Sequence, residues 1–399
     1  MYRRVLGGLV LFSALLNATV APQLNEKYHD SKKCAPCHSK IVTEWSESYH
    51  AKSHYDNNEY LRASMDYAAR KTRGKSINSI KVECATCHNP RIGVEDAGME
   101  YEIQAAMKLD DLSDVNKALE SDALSEGINC LVCHNVNKIN DHMDETKRGM
   151  DRISWNKVGT MSGPFDDAHS PYHNSQYRDF FGEDPKKLCF VCHANDRSLE
   201  GVVFANMKQE YGNEEKQCAE CHMGPKRKGF ASTFPYKDGK PKERMVREHV
   251  FAGAHQDWLW KGALKLDVHQ KGNDLIVTLV NENPHNIPSG FGSRELIIDV
   301  EYMNGAKVIK KQSMSLTRHY TSKRGKPTIP HLAVEMSEDL SVPAKGKRTV
   351  KFPMAEGAGT ASVALSYRLV NEEVHDLLKL KEPIWSKKFA IDNATLRVK

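Results

Sequence analysis

All ten cysteines of this sequence lie in five units of the form Cys-x-x-Cys-His. A chain with 10 Cys and 18 His among 399 residues would contain roughly 0.01 such units by chance. Two thiols at this spacing add across the vinyl groups of a haem, and the imidazole that follows them reaches the iron from one face. The predicted attachment cysteines are Cys34, Cys37, Cys84, Cys87, Cys130, Cys133, Cys189, Cys192, Cys218 and Cys221. The predicted proximal ligands are His38, His88, His134, His193 and His222.

Structural zinc and disulfide bonds are the alternative uses of paired cysteines. Five pairs do not divide evenly into four-thiolate zinc sites, and zinc gives no reason for a histidine after every second cysteine. If all five units hold haem, no thiol remains for a disulfide bond. The sequence therefore predicts five covalently bound haem c groups.

The N-terminus has the pattern of a secretory signal peptide. Arg3 and Arg4 precede an apolar run over residues 5–16, and small residues follow up to Ala21. The alternative, an uncleaved anchor, is disfavoured because a spanning helix needs about 20 apolar residues. We predict a signal peptide at 1–21, Sec-type export to the periplasm or the extracellular cell surface, and no transmembrane span in the mature chain. The net charge of +5 is too slight to imply nucleic-acid binding.

The chain changes character near residue 254. Before it, residues 41–53, 59–73 and 99–120 have helical apolar spacing, while 135–140 and 160–164 are typical of loops. After it, runs rich in Val, Ile and Leu over 263–268, 275–280, 296–302, 349–352 and 361–369 predict about seven short strands. Residues 321–326 are expected to form a long exposed loop. Five haems among so few residues must themselves form much of the core, so folding should depend on their attachment.

A low-spin haem that transfers electrons needs a second axial ligand, usually an imidazole. The predicted distal ligands are His50, His142, His173, His249 and His285. His54, His169 and His255 are the alternatives beside three of them. The remaining histidines after the last motif, His269, His319, His331 and His375, are expected at the surface.

Two of these distal candidates have particular settings. On a helix, His50 and His54 would share one face and could not bind one iron from opposite sides, and His50 would lie too far from His38 to serve the same haem. His285 lies between Pro284 and Pro288, which restrict its backbone.

These residues together resemble the multihaem c-type cytochromes related to the tetrahaem cytochrome of ammonia oxidisers. The segments that carry the resemblance are 34–38 with 45–51, 127–130, 162–173, and 218–223 with 249–255. Many such proteins end in a β-domain whose hairpin carries Gly-His-x-x-Pro-Thr-Gly. Here Pro284 replaces the first Gly and Ser289 replaces the Thr. The fold class expected is an α plus irregular multihaem cytochrome c domain at 22–256, followed by an all-β, sandwich-like domain at 257–399.

The resemblance implies a periplasmic or cell-surface electron carrier that passes single electrons through closely packed, mainly bis-His haems. A reductase of a nitrogen- or sulfur-oxygen compound is a second hypothesis, since it needs only one haem with an open iron position. Pentahaem nitrite reductases typically have lysine in place of one motif histidine, and all five units here end in histidine. A subunit of a polymeric extracellular cytochrome filament is a third hypothesis, with His29 as the candidate ligand for a neighbouring copy.

The expected partners are redox proteins, such as other cytochromes, a quinol dehydrogenase or a terminal reductase. A homo-oligomer or filament is a further expectation. The carrier hypothesis predicts no catalytic residue.

Overall fold

The computed structural model describes residues 30–91, 97–110, 113–120, 125–140, 147–212, 214–236, 238–253 and 255–398. The signal-peptide prediction at 1–21, His29 and the predicted ligand His142 lie outside these residues. Over the ranges that are described, none of the helices combines the length and the apolar character needed to cross a membrane.

Short helices dominate the part of the chain that contains the cysteines. They are α1 (Ala35–Ser46), α2 (Glu59–Lys71), α3 (Ile77–His88), α4 (Gly98–Ala106), α5 (Asp114–Leu119), α6 (Cys130–His134), α7 (Asp179–Gly182), α8 (Lys186–His193), α9 (Met207–Tyr211), α10 (Cys218–His222) and α11 (Asp257–Trp260), with α12 (Glu372–Leu378) far later. Asn58, Ser76 and Asn129 cap α2, α3 and α6 by accepting backbone N–H bonds, which fixes where these helices begin.

The predicted helix over 41–53 is wrong beyond Ser46. The Trp45 indole donates to the Ile128 carbonyl at 2.8 Å, and the Ile128 amide donates to the His50 carbonyl at 3.1 Å. These bonds turn the chain towards the third motif, so His50 and His54 lie in turns rather than on one helical face. The predicted helix over 59–73 corresponds to α2, and the prediction over 99–120 divides into α4 and α5.

Small two-stranded ladders connect the helices. They are β1 (Val136–Ile139) with β2 (Ile153–Trp155), β3 (Thr160–Gly163) with β4 (Asn174–Tyr177), β5 (Asp196–Arg197) with β6 (Val203–Ala205), and β7 (Arg227–Phe230) with β8 (Glu243–Val246). The loops predicted at 135–140 and 160–164 are therefore wrong, since they contain β1 and β3. Each of these strands pairs with a segment distant in sequence, which local composition does not indicate.

The C-terminal part is a sandwich of two antiparallel sheets. Its strands are β9 (Lys265–Lys271), β10 (Asp274–Val280), β11 (Glu295–Asn304), β12 (Lys307–Thr321), β13 (Glu335–Asp339), β14 (Lys347–Pro353), β15 (Thr360–Arg368) and β16 (Phe389–Arg397). One sheet has the order β14-β10-β9 and the other β13-β12-β11-β15-β16. Leu275 and Val277 of the first sheet share one apolar core with Ile298, Tyr302 and Tyr367 of the second. The predicted fold class, an α plus irregular part followed by an all-β sandwich, is confirmed.

The sandwich packs directly against α2. The Glu59 carboxylate at the start of α2 accepts the Trp385 indole N–H at 2.8 Å and the backbone N–H groups of Lys381 and Glu382 at 2.9 Å each. Tyr49 and Tyr60 pack against the apolar core of the sandwich. The two parts therefore meet along an interface that is both apolar and hydrogen-bonded.

One glycine allows an especially close approach beside the second motif. Gly149 has φ +56°, and a Cβ at this position would overlap the backbone carbonyl of Thr86, which lies between Cys84 and Cys87. Only glycine meets both the backbone conformation and the contact.

We predict that Gly149→Ala destabilises the folded protein by about 2–4 kcal/mol, because it combines left-handed backbone strain with overpacking. The matched control is Gly357→Ala, since Gly357 has φ +75° and an added Cβ there would meet nothing within 4 Å. It should cost only about 1 kcal/mol, the strain alone. Chemical denaturation of the purified protein, followed by far-UV circular dichroism, measures both. Equal losses in the two variants would show that the contact with Thr86 is unimportant.

Candidate haem-binding cavity

Four of the Cys-x-x-Cys-His units lie entirely on a helix, and the first begins at Cys34, directly before α1. In α3, α6, α8 and α10 the motif histidine is the last helical residue, whereas α1 continues past His38 with a kink there, at φ −122° and ψ 34°. Helical geometry brings positions i and i+3 to one face. The two thiols of a unit therefore face the same direction, as double attachment to one flat group requires.

One continuous cavity of about 1340 Å³ is lined by all ten cysteines and all five motif histidines. This volume exceeds the roughly 300–1,000 Å³ typical of a pocket for one small ligand. Phe180, Phe251 and Trp260 are among the aromatic residues that also line it. The size, the apolar lining and the thiol pairs fit several haem groups.

Backbone carbonyls orient three of the motif histidines. The Nδ1 atoms of His38, His134 and His222 donate to the carbonyls of Ala231, Ser162 and Ala252 at 2.6, 2.7 and 2.5 Å. A histidine that donates from Nδ1 has its lone pair on Nε2, where a metal can bind. These carbonyls were missed in the sequence analysis because an acceptor on the backbone has no residue signature.

His88 differs from these three, since its Nδ1 lies 2.8 Å from the Ser53 hydroxyl. Burial lowers the pKa of His88 to about 4, and the pKa of His134 and of His222 is lowered by burial as well. The buried imidazoles are therefore neutral at pH 7, which is the form that coordinates a metal.

Three of the predicted distal histidines lie opposite motif histidines. The ring centroids of His50 and His193 are 6.3 Å apart, those of His134 and His249 are 6.4 Å apart, and those of His222 and His285 are 6.4 Å apart. The interplanar angles are 37°, 25° and 28° respectively.

This centroid distance is the one expected for two imidazoles that bind the same metal ion. A metal–imidazole bond of about 2.0–2.1 Å, plus about 1.1 Å from nitrogen to ring centre, gives about 6.3 Å when two rings bind one ion from opposite sides. Rings that simply stack are separated by much less, as the 3.7 Å between Trp260 and Tyr367 illustrates. The three histidine pairs thus have the spacing of bis-His ligation.

The other predicted ligands have different settings. His173 lines the cavity within electrostatic reach of His134, and its Nδ1 lies 3.2 Å from the Asn174 carbonyl. Of the alternatives, His169 and His255 line the cavity, and His54 lies 3.6 Å from the Asp56 carboxylate.

His331 is a correction to the sequence analysis, which expected it at the surface. It lies in the turn Pro330–Leu332 and lines the cavity. Among neighbouring charged groups, a protonated His331 would lower the pKa of His88 the most. Phe204 packs on its ring at 4.9 Å between centroids. Nothing in the local sequence marks His331, because its approach to His88 depends on how the sandwich docks.

A buried ionic network holds the segment that carries His285. The Glu210 carboxylate in α9 accepts from the Asn286 amide at 3.2 Å and from the Ser289 hydroxyl. Arg318 of β12 donates to Glu210 at 3.1 Å and to Asp339 at 3.0 Å. This network joins the sandwich to the helix between the fourth and fifth motifs.

Contacts between thiols show which motifs are neighbours. The pKa of Cys34 is raised by the adjacent thiol of Cys130, that of Cys192 by the thiol of Cys87, and that of Cys189 by the thiol of Cys218. The first motif therefore adjoins the third, and the fourth adjoins both the second and the fifth.

Comparisons with known proteins agree with this geometry. Residues 33–135 match the family model described as cytochrome c554 and c-prime. A search of curated proteins found no match.

Among solved structures, the chain is similar to a penta-heme cytochrome c552 from Thermochromatium tepidum. The TM-score is 0.67 at 17% sequence identity, and the match covers 92% of this chain and 98% of the other. A second match is the Northeast Structural Genomics Consortium target SoR45, with 11% identity over 34% of this chain and 88% of the other. Its TM-score of 0.14 is too low to indicate a shared fold. By its five motifs, its partial family match and its fold, the chain is a multihaem c-type cytochrome.

Proposed function

We propose that the chain is an exported electron carrier that holds five haem c groups, mainly with histidine on both faces of each iron. The observation that carries this proposal is the set of three histidine pairs at 6.3–6.4 Å. Haem iron, when bound, supplies the one-electron chemistry. An iron held between two imidazoles has no open position for a substrate, which favours electron transfer over catalysis.

The chain's own contribution is to fix the ligands and keep them neutral. Burial lowers the pKa of His50 to about 3 and that of His249 to about 4, and the neighbouring histidines act in the same direction on both. Protonation at neutral pH therefore does not compete with metal binding at these positions. The ligands should stay in place through repeated oxidation and reduction.

The arrangement of the motifs suggests a branched path for electrons. The fourth motif adjoins the second and fifth through thiol contacts, and Cys133 of the third motif lies within electrostatic reach of Cys189 and Cys192. Phe251 packs between His50 and His249, with centroid distances of 4.5 and 5.9 Å. We infer that the fourth haem is the junction, with the first haem reached through the third.

His331 completes a fourth pair in this proposal, with His88. In each pair with the 6.3–6.4 Å spacing, a proton on the partner imidazole would lower the pKa of at least one member more than any other neighbouring charge. His331 has the same relation to His88. Two distal ligands, His285 and His331, would then come from the sandwich.

The same proposal includes a cytochrome domain at 22–256, a sandwich domain at 257–399, an export signal, and a periplasmic or cell-surface location. An exported carrier without a catalytic iron exchanges electrons with other redox proteins. Its partners would be another cytochrome, a quinol dehydrogenase or a terminal reductase.

The carrier proposal predicts only low-spin ferric signals in the electron paramagnetic resonance spectrum of the oxidised protein. Addition of nitrite or hydroxylamine should leave these signals unchanged, because neither ligand finds an open iron. Mass spectrometry of the same sample should give five haems per chain. A high-spin signal that shifts when nitrite or hydroxylamine is added would favour a reductase instead.

Replacing His285 with Ala should convert one haem from low spin to high spin without changing the number of haems, since the thioether bonds and proximal ligand remain. Spin state is read from electron paramagnetic resonance and haem number from mass spectrometry. The control is His269→Ala, an exposed histidine of β9 in the same sandwich. Unchanged low-spin signals in His285→Ala would show that His285 is not a ligand.

His331→Ala should also produce one high-spin haem, and the double variant with His285→Ala should produce two. The additivity follows because the two histidines lie opposite different motifs. The same two measurements apply. If the double variant gains only one high-spin haem while His285→Ala alone already has it, His331 does not bind iron.

A further inference from the structure

Three buried hydrogen-bond donors at the junction of the two parts have no acceptor among the described residues. They are Arg294 Nε, Trp260 Nε1 and the Tyr367 hydroxyl. A buried donor without a partner costs about 1–3 kcal/mol, so native structures rarely leave one without a bound group. Three in one region point to an acceptor that the polypeptide does not supply.

The three donors belong to one cluster. The Trp260 and Tyr367 rings stack at 3.7 Å between centroids with an interplanar angle of 16°. Burial raises the pKa of Tyr49, Tyr60 and Tyr367 to about 12 each, and the positive charge of Arg294 opposes the shift at all three. Arg294 lies two residues before Leu296, which pairs with Tyr367 between strands β11 and β15, and both Arg294 and Trp260 line the cavity.

A neighbouring tryptophan and a neighbouring arginine, by contrast, have acceptors within the chain. The Trp385 indole donates to Glu59, and Arg318 donates to the carboxylates of Glu210 and Asp339. Arg294 donates instead to the Ser289 backbone carbonyl at 2.8 Å, which carries no full charge. Glu59 and Glu210 are already committed to other donors. Among the described residues, no carboxylate forms an ion pair with Arg294, so a carboxylate from a bound group would fit there.

We propose that Arg294, Trp260 and Tyr367 form a carboxylate-binding cradle that holds a propionate of the haem attached at the fourth or fifth motif. The placement of Arg294 supports this choice, since its Nη1 atom donates to the Ser289 carbonyl in the loop of His285, whose ring centroid lies 6.4 Å from that of His222. An arginine fork in a low-dielectric site binds a carboxylate strongly. The same chemistry would accept a free oxyanion, which the test below distinguishes. The cradle requires haem in the cavity but does not depend on which irons have two histidines.

The test replaces Arg294 with Met and measures the reduction potential of each haem against pH, by redox titration followed with electron paramagnetic resonance. Loss of a nearby positive charge should lower the potential of one haem. The propionate, now without its partner, should take up a proton within the neutral range, so this potential should fall as pH rises. In the wild type, where the pair keeps the propionate ionised, it should stay constant over that range. Trp260→Phe should give a smaller change in the same direction.

The matched control is Arg348→Met, which removes an arginine that also donates to backbone carbonyls, those of Ser341 and Asp339, within the sandwich. Its potentials should equal those of the wild type. Arg294→Lys keeps the charge, so its reduction potentials should remain close to those of the wild type. It is the variant to measure if Arg294→Met does not assemble. Low-spin signals retained in Arg294→Met would show that His285 is undisturbed.

Two results would overturn the cradle. Unchanged potentials in Arg294→Met would show that the guanidinium does not pair with a haem carboxylate. A saturable dependence of the wild-type potential on sulfate or nitrate, absent in Arg294→Met, would assign the cradle to a free oxyanion. Neither result bears on the carrier proposal, which fails only if the wild-type protein has a reactive high-spin haem.

Discussion

The cysteine-bearing part of the chain encloses a cavity where an ordinary domain would have an apolar core. Its buried clusters are small, for example Val82 with Ala85, Tyr101 and Val115, whereas the sandwich has one large core of its own. Ten thiols and five imidazoles face the same space. The short helices and two-stranded ladders before residue 257 therefore depend on what the cysteines hold, and the folding free energy of this part must come largely from the cofactor.

Three pairs of imidazoles, with ring centroids 6.3–6.4 Å apart, bring distant segments of the chain together in this cavity. His50 comes from the turn after α1, His249 from the segment after β8, and His285 from the loop between β10 and β11. Each lies opposite a motif histidine from a different element. A metal bound between the members of each pair would crosslink these segments and would hold a part with little regular structure in one arrangement.

The sequence carries more signal for the chemistry of this site than for its architecture. The Cys-x-x-Cys-His spacing alone predicts attachment cysteines and proximal ligands, because that chemistry is local. The strands 275–280 and 361–369 were predicted closely because Val, Ile and Leu form strands when one face is buried. Contacts between segments far apart in sequence determine the features that the sequence did not predict. These are the end of α1 at Ser46, strands β1 and β3, and the approach of His331 to His88. Residue type carries no signal for such contacts.

The buried ionic network fixes the loop of His285, the proposed distal ligand, against α9. Arg318 and Glu210 are only 6% and 10% exposed at their side chains, and the desolvation of such a pair commonly offsets its electrostatic attraction. The network is therefore better understood as fixing one docking geometry than as adding stability. Glu210 binds both Arg318 and the loop of His285, so the imidazole, the sandwich and α9 are held as one unit. The Asn281 side chain supports the same loop by donating to the His285 carbonyl at 2.9 Å. As the proposed ligand, an imidazole held this firmly would not have to move when the iron changes charge, and small rearrangement is the condition for rapid single-electron transfer.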